Sequence, residues 1–113
     1  HLPLAAELQR MVYVPGRLFS VNLLTAQTVP NLFSRNERVI NYFNHPQGNM
    51  AVIMVGAMIV GSIATQWHGV VNAPRPAQLH AWDYPQSLAF AQGDEIGYFS
   101  LGSTVIVLLS EGM

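Results

Sequence analysis

Apolar positions along the chain come in short runs separated by turn-forming residues. Residues 7–14 (ELQRMVYV), 37–43 (ERVINYF), 88–91, 96–101 and 104–109 are of strand length and rich in Val, Ile, Tyr and Phe. Such residues fit a pleated, half-buried surface. Between the runs stand Pro15-Gly16, Pro30-Asn31, Pro46-Gln47-Gly48, Pro74-Arg75-Pro76, Pro85 and Gly93-Asp94, all of them turn signals. The longest apolar stretch, residues 50–64 (MAVIMVGAMIVGSIA), is shorter than the ~20 residues of a spanning helix. It carries Gly56 and Gly61 among β-branched residues, so it is expected to form two buried strands joined near Gly56. A short helical turn is expected only over residues 23–33, where Pro30 limits its length. The pattern predicts one mostly-β domain, a sandwich or barrel-like arrangement of short strands with at most one short helix.

Composition narrows what such a domain can do. Half of the 113 residues are hydrophobic and only 10% are charged, against about a quarter charged in an ordinary soluble domain. Some of the surface is therefore expected to be covered by another part of the same protein, a second copy of the chain or a lipid surface. The net charge of −1 supplies no field for nucleic acid phosphates. All five cations are arginines and no lysine is present, which rules out an internal pyridoxal Schiff base and a lipoyl or biotinyl arm on this chain. Without cysteine there is no thiolate catalysis, disulfide or cysteine-ligated zinc. The start His1-Leu2-Pro3-Leu4 has no charged signal-peptide n-region and reads as a cut end.

The chemistry centres on Leu101-Gly102-Ser103-Thr104. Gly102-Ser103 lies between two strand-like runs, where a glycine implies a bulge or sharp bend. A bend there can present the Ser103 hydroxyl to the Gly102 carbonyl, which no side chain shields. Attack would convert the peptide to an ester. Elimination from the ester leaves dehydroalanine, which hydrolyses to a pyruvoyl group.

Three blocks give this tetrapeptide its context. GDEIGYFSLGST at 93–104 continues into Val105-Ile106. It resembles the cleavage-site region of phosphatidylserine decarboxylases, where a Gly-x-Glu-x-Gly-x-Phe pattern leads into Leu-Gly-Ser-Thr. VPGRLFSVN at 14–22 continues through Leu24-Thr25-Ala26 and Val29-Pro30-Asn31-Leu32-Phe33 to Arg35-Asn36-Glu37-Arg38-Val39 and looks like a long block of the same family. VGAMIVGSI at 55–63 is the third. The blocks fall in the family's order and cover nearly all of the chain, and the resemblance is to the bacterial membrane-associated type.

The resemblance implies that Ser103 becomes the pyruvoyl cofactor of a small α chain beginning at 103, and that Gly102 ends a β chain within 1–102. It implies phosphatidylserine as substrate, held as a Schiff base while CO₂ leaves, with phosphatidylethanolamine as product. It further implies a peripheral enzyme on the cytoplasmic face of the bacterial membrane, reached through an N-terminal region not in this chain. His1, followed by Pro3, is similar to the family's catalytic histidine, which acts on the serine hydroxyl and pairs with an aspartate further upstream. A neutral imidazole suits that proton transfer. As a chain terminus, however, His1 is expected to be mobile.

Arg35, Asn36, Glu37 and Arg38 are the densest polar cluster. They read either as a solvated strand start or, through Arg35, Asn36 and Arg38, as a site for a phosphate or carboxylate headgroup, which arginine grips by paired hydrogen bonds. His45, His68 and His80 are expected to be turn or surface residues, and no two of them have metal-ligand spacing. Ser103 is not in a Gly-x-Ser-x-Gly elbow, which disfavours an ordinary hydrolase. A non-catalytic β-sandwich interaction module remains the alternative. Taken as a single partial catalytic domain over 1–113, the chain is expected to keep Ser103 intact, to lack decarboxylase activity on its own, and to expose apolar strand edges.

Overall fold

A computed structural model describes residues 1–17, 27, 28, 30, 31, 35–57, 62–72, 78–100 and 104–113. Among the described residues eight strands run in chain order: β1 (Ala6–Val14), β2 (Arg38–His45), β3 (Gly48–Val55), β4 (Ile63–Thr65), β5 (Gly69–Val70), β6 (His80–Phe90), β7 (Gly97–Phe99) and β8 (Thr104–Leu109). Five form an antiparallel sheet in the order β6-β1-β2-β3-β8, and three form a smaller sheet in the order β5-β4-β7. The mostly-β expectation holds. Among the described residues the sheets stay open at their edge strands and form no closed barrel. The helical turn expected over 23–33 lies mostly outside the described residues, although Gln27 and Thr28 within it are helical.

Alternation explains which side of the large sheet is buried. In β2, Val39, Asn41 and Phe43 are buried while Tyr42 and Asn44 face outward, the two-residue period of a strand. Their register partners Met54, Val52 and Met50 on β3 are buried with them. Met11, Tyr13, Val39 and Met54 pack with Ile63 of the small sheet and with Ala57 and Val71, so this part of the core lies between the two sheets. A second cluster gathers Leu2, Ala6, Leu8, Phe43, Met50, Val52 and Ile96 at the other end. Trp67 touches both clusters and meets Phe43 edge-on, with ring centroids 6.1 Å apart.

Two runs behave differently from their sequence. In β1 the buried positions step from Leu8 to Met11 rather than by two, because Gln9 is an extra residue: Leu8 faces Phe43 and Arg10 faces Tyr42. On the other side, Leu8 faces Leu88 and Arg10 faces Asp83, which leaves residues 84–87 looped out of register. Pro85, expected to mark a turn, sits in that irregularity inside β6, which begins at His80 rather than at 88. A proline is tolerated there because β6 is an edge strand and no ladder hydrogen bond is required of it at a bulge. Residues 50–64 do divide into two strands, β3 and β4; 58–61 are outside the described residues.

Candidate active site

Gly102 and Ser103 lie outside the described residues, so the site is built from what surrounds them. On the upstream side, β7 pairs with β4 through Gly97–Thr65, Tyr98–Ala64 and Phe99–Ile63. Gly97 has no room for a side chain: a Cβ there would collide with the Ala64 carbonyl oxygen. Ser100 extends the pairing, its N–H donating to the Ser62 carbonyl at 3.1 Å and its hydroxyl hydrogen-bonded to that of Ser62. On the downstream side, Thr104 pairs with Val55 and opens β8 along β3. Residues 101–103 thus join a strand of the small sheet to a strand of the large one.

His1 is not loose. Leu2 is buried, its N–H donates to the Asp94 carbonyl and its carbonyl accepts from the Gly93 N–H, both at 2.8 Å. This ties the N-terminal residues to the Gly93-x-Glu95-x-Gly97 segment. The His1 ring sets Nδ1 2.8 Å from the Gly93 carbonyl oxygen. A carbonyl only accepts, so Nδ1–H is the donor in this contact, and whenever the ring is neutral Nε2 is its basic nitrogen. The contact that orients the ring is a main-chain carbonyl of the Gly93–Gly97 segment itself.

His1 also lines a cavity of about 330 Å³ with Val52, Met54, Ile96, Gly97, Phe99 and Val105. Phe99 and Val105 flank 101–103 on the two sides, so His1 and both arms of the expected cleavage segment share one mostly apolar hollow. A larger hollow of about 630 Å³, with Tyr42 and Leu79 among its walls, lies on the outward face of the large sheet. Its one charged group, Arg10, is paired with Asp83 at 3.4 Å. It holds none of the residues flanking Ser103 and offers no comparable chemistry.

The Arg35–Arg38 cluster is only partly a solvated strand start. Arg35 is exposed and Arg38 half-buried, and their guanidinium groups donate to the carbonyls of Pro30 at 3.4 Å and Asn36 at 3.0 Å. Asn36 and Glu37 are fully buried. The Asn36 amide donates to the Gly56 carbonyl at 2.9 Å. Glu37 accepts at both carboxyl oxygens, from the Tyr13 hydroxyl at 2.6 Å and the Asn72 amide at 2.8 Å. Gly56 makes room for this carboxyl, since a Cβ there would come within 2.9 Å of Glu37 Oε1. Tyr13, Glu37 and Asn72 were not candidates on sequence. The local sequence carried no signal for them, since Glu37 stands beside arginines and its partners lie far along the chain.

The remaining histidines are peripheral. His45 ends β2, where its Nδ1 accepts from the Gln47 N–H at 3.1 Å across the turn. His68 and His80 are exposed, with ring centroids 4.8 and 5.9 Å from that of Trp82. Among the described residues no group of His, Asp and Glu could hold a metal ion, and no helix is long and apolar enough to cross a membrane.

Among the described residues this is a mostly-β domain with a histidine-lined hollow beside the strands that flank 101–103. The sequence pattern of the phosphatidylserine decarboxylase family matches residues 1–113, and the chain belongs to that family. It is 55% identical over 109 residues to a phosphatidylserine decarboxylase proenzyme of Delftia acidovorans, covering 96% of this chain and 38% of that protein. It is 56% identical over 113 residues to the proenzyme of Methylococcus capsulatus, covering 99% and 39%, and 53% identical over 112 residues to that of an Azoarcus species, covering 98% and 39%. The chain therefore spans about two fifths of the length of these relatives.

Proposed function

We propose that the protein containing this chain decarboxylates phosphatidylserine to phosphatidylethanolamine with a pyruvoyl group made from Ser103. The observation that carries this is the cavity shared by His1, Phe99 and Val105, on either side of the Leu-Gly-Ser-Thr segment of a chain in the decarboxylase family. In the maturation step the Ser103 Oγ adds to the Gly102 carbonyl as His1 Nε2 takes the hydroxyl proton. The C–N bond breaks and the ester forms. Loss of the Cα proton of residue 103 expels the Gly102 carboxylate, and water then replaces nitrogen at the resulting dehydroalanine, releasing ammonia. The residues present fit the product: the hollow is largely apolar, has His1 as its titratable side chain, and the chain has no lysine amine to capture the carbonyl. When formed, that carbonyl supplies the electron-accepting group for loss of CO₂.

Arg35 and Arg38, with Asn36 fixing the backbone between them, are the groups we assign to the lipid headgroup. On this reading the substrate is a membrane lipid, and we assign the enzyme to the cytoplasmic face of the bacterial membrane. Residues 1–113 alone, being about two fifths of the length of the relatives, are not expected to turn the lipid over.

Intact-mass measurement of the full-length protein tests the proposal. The expected result is separation at Gly102–Ser103 with a carbonyl on residue 103, abolished in Ser103→Ala and slowed by a factor on the order of 10²–10⁴ in His1→Ala, the usual range for a lost general base. Decarboxylase activity from a protein whose Ser103 stays an intact serine would sink it. Full activity on phosphatidylserine vesicles after Arg35→Ala and Arg38→Ala would remove the headgroup assignment.

A further inference from the structure

The two attachment points of the 101–103 segment are held by one buried polar network, and nothing in the self-cleavage chemistry itself explains it. Downstream, Thr104 is paired with Val55, and the peptide unit next along β3 belongs to Gly56. The Gly56 N–H donates to the Glu37 carbonyl at 2.7 Å and its carbonyl accepts from the Asn36 amide at 2.9 Å. Upstream, Ser100 and Phe99 are held by Ser62 and Ile63. The Ile63 N–H donates to Asn72 Oδ1 at 2.9 Å, and the amide nitrogen of that same Asn72 donates to Glu37 Oε1 at 2.8 Å. Glu37 therefore reaches the large sheet through its main chain and the small sheet through its side chain, with Tyr13 fixing its other oxygen at 2.6 Å. Tyr13, Asn36, Glu37, Ile63 and Asn72 are all nearly inaccessible to solvent. A buried hydrogen-bonded network of this kind has one low-energy arrangement, because each misplaced donor or acceptor would be left unpaired.

We infer that Glu37 and Asn72, braced by Tyr13, are positioning residues for self-cleavage: they set the separation of the two sheets at the ends of the Leu101–Ser103 segment. The inference rests on the proposed cleavage at Gly102–Ser103. Attack of a hydroxyl on the preceding carbonyl requires the reacting atoms within about 3–3.5 Å, and a misplacement of about 1 Å costs as much as 10²-fold in rate. The Glu37–Asn72 link fixes that span from the two flanking sheets. It should act on maturation and leave the matured site nearly unaffected, since the constraint matters less once the chain is cut.

The test uses the full-length proenzyme and follows appearance of the two chains with time, alongside thermal unfolding. Asn72→Ala removes the links to Ile63 and to Glu37 at once and is expected to slow cleavage about tenfold or more. Glu37→Gln keeps the shape and can still accept from Asn72 while its amide donates to the Tyr13 oxygen, so it should recover most of the rate; it also serves as the readout if Asn72→Ala does not fold, with a rate below wild type expected. Val12→Ala, on the outward face of the large sheet away from the His1 cavity, is the control for stability loss. Slow cleavage in Asn72→Ala, with near-normal turnover per pyruvoyl group once formed and no such delay in Val12→Ala, supports the inference. Equal delays in Asn72→Ala and Val12→Ala, or wild-type cleavage in Asn72→Ala and Glu37→Gln, overturn it. A wild-type protein that turns over lipid with Gly102–Ser103 intact overturns the functional proposal instead.

Discussion

Two buried polar residues in the large sheet are treated very differently. Glu37 has both carboxyl oxygens occupied. Asn41, at the centre of β2, donates from its amide to the Val52 carbonyl at 3.2 Å, but its Oδ1 has no partner among the described residues. A buried unsatisfied acceptor costs about 1–3 kcal/mol, and Asn41 is fully buried beside Met11 and Val52. Replacing it with the similarly shaped Leu removes that penalty and extends the apolar layer. Asn41→Leu is expected to stabilise the fold by roughly 1 kcal/mol, read as a rise in denaturation midpoint with unchanged slope. A fall in midpoint would mean that the oxygen has a role the described residues do not reveal. Neither residue's state was legible in sequence. Glu37 stands among charges and reads as solvated, whereas its burial is decided by Tyr13 and Asn72, 24 and 35 positions away.

Strands were legible where one face is dry and the register is simple. The run 104–109 coincides with β8, and 7–14 and 37–43 fall within two residues of β1 and β2 at each end. β6 was legible only at its last turn-proximal residues, because Pro85 interrupts the pattern and local chemistry does not announce that an edge strand will absorb it. Tyr84, beside that proline, packs against both core clusters, and burial raises its phenol above the ordinary value of 10.0. The folded state therefore holds the proton more tightly than the unfolded chain. This contribution to stability is complete below the unfolded value and is lost as pH rises through the folded one. Thermal unfolding followed across the alkaline range, on either side of about pH 10, should show a decline that is shallower in Tyr84→Phe. Identical alkaline profiles for the two proteins would show that Tyr84 does not couple its ionisation to folding.

At the scale of the molecule, the low charge density led to an expectation of covered surface, and the described residues expose apolar side chains on the large sheet. On its outward face the register aligns Val12, Ile40, Ile53 and Ile106 across four strands, with the last three only half-buried. At one margin β8 pairs with β3 alone among the described residues, and its Val105, Val107, Leu108 and Leu109 are 41–55% exposed. An apolar strand with a free row of backbone donors and acceptors is a template for another strand. The candidate site lies against this margin, because Val105 is both an edge residue and a wall of the His1 cavity. A strand added at this edge would thus lie beside the cavity wall. Residues 1–113 expressed alone should therefore self-associate at tens of micromolar or below, an edge-driven tendency that a charge on the strand opposes. Val107→Lys, which places a cation on the edge two residues beyond the cavity wall, should shift the sedimentation profile toward monomer while leaving the β signal in circular dichroism intact. A wild-type fragment that sediments as a monomer at those concentrations would show that the β8 margin is already satisfied within this chain.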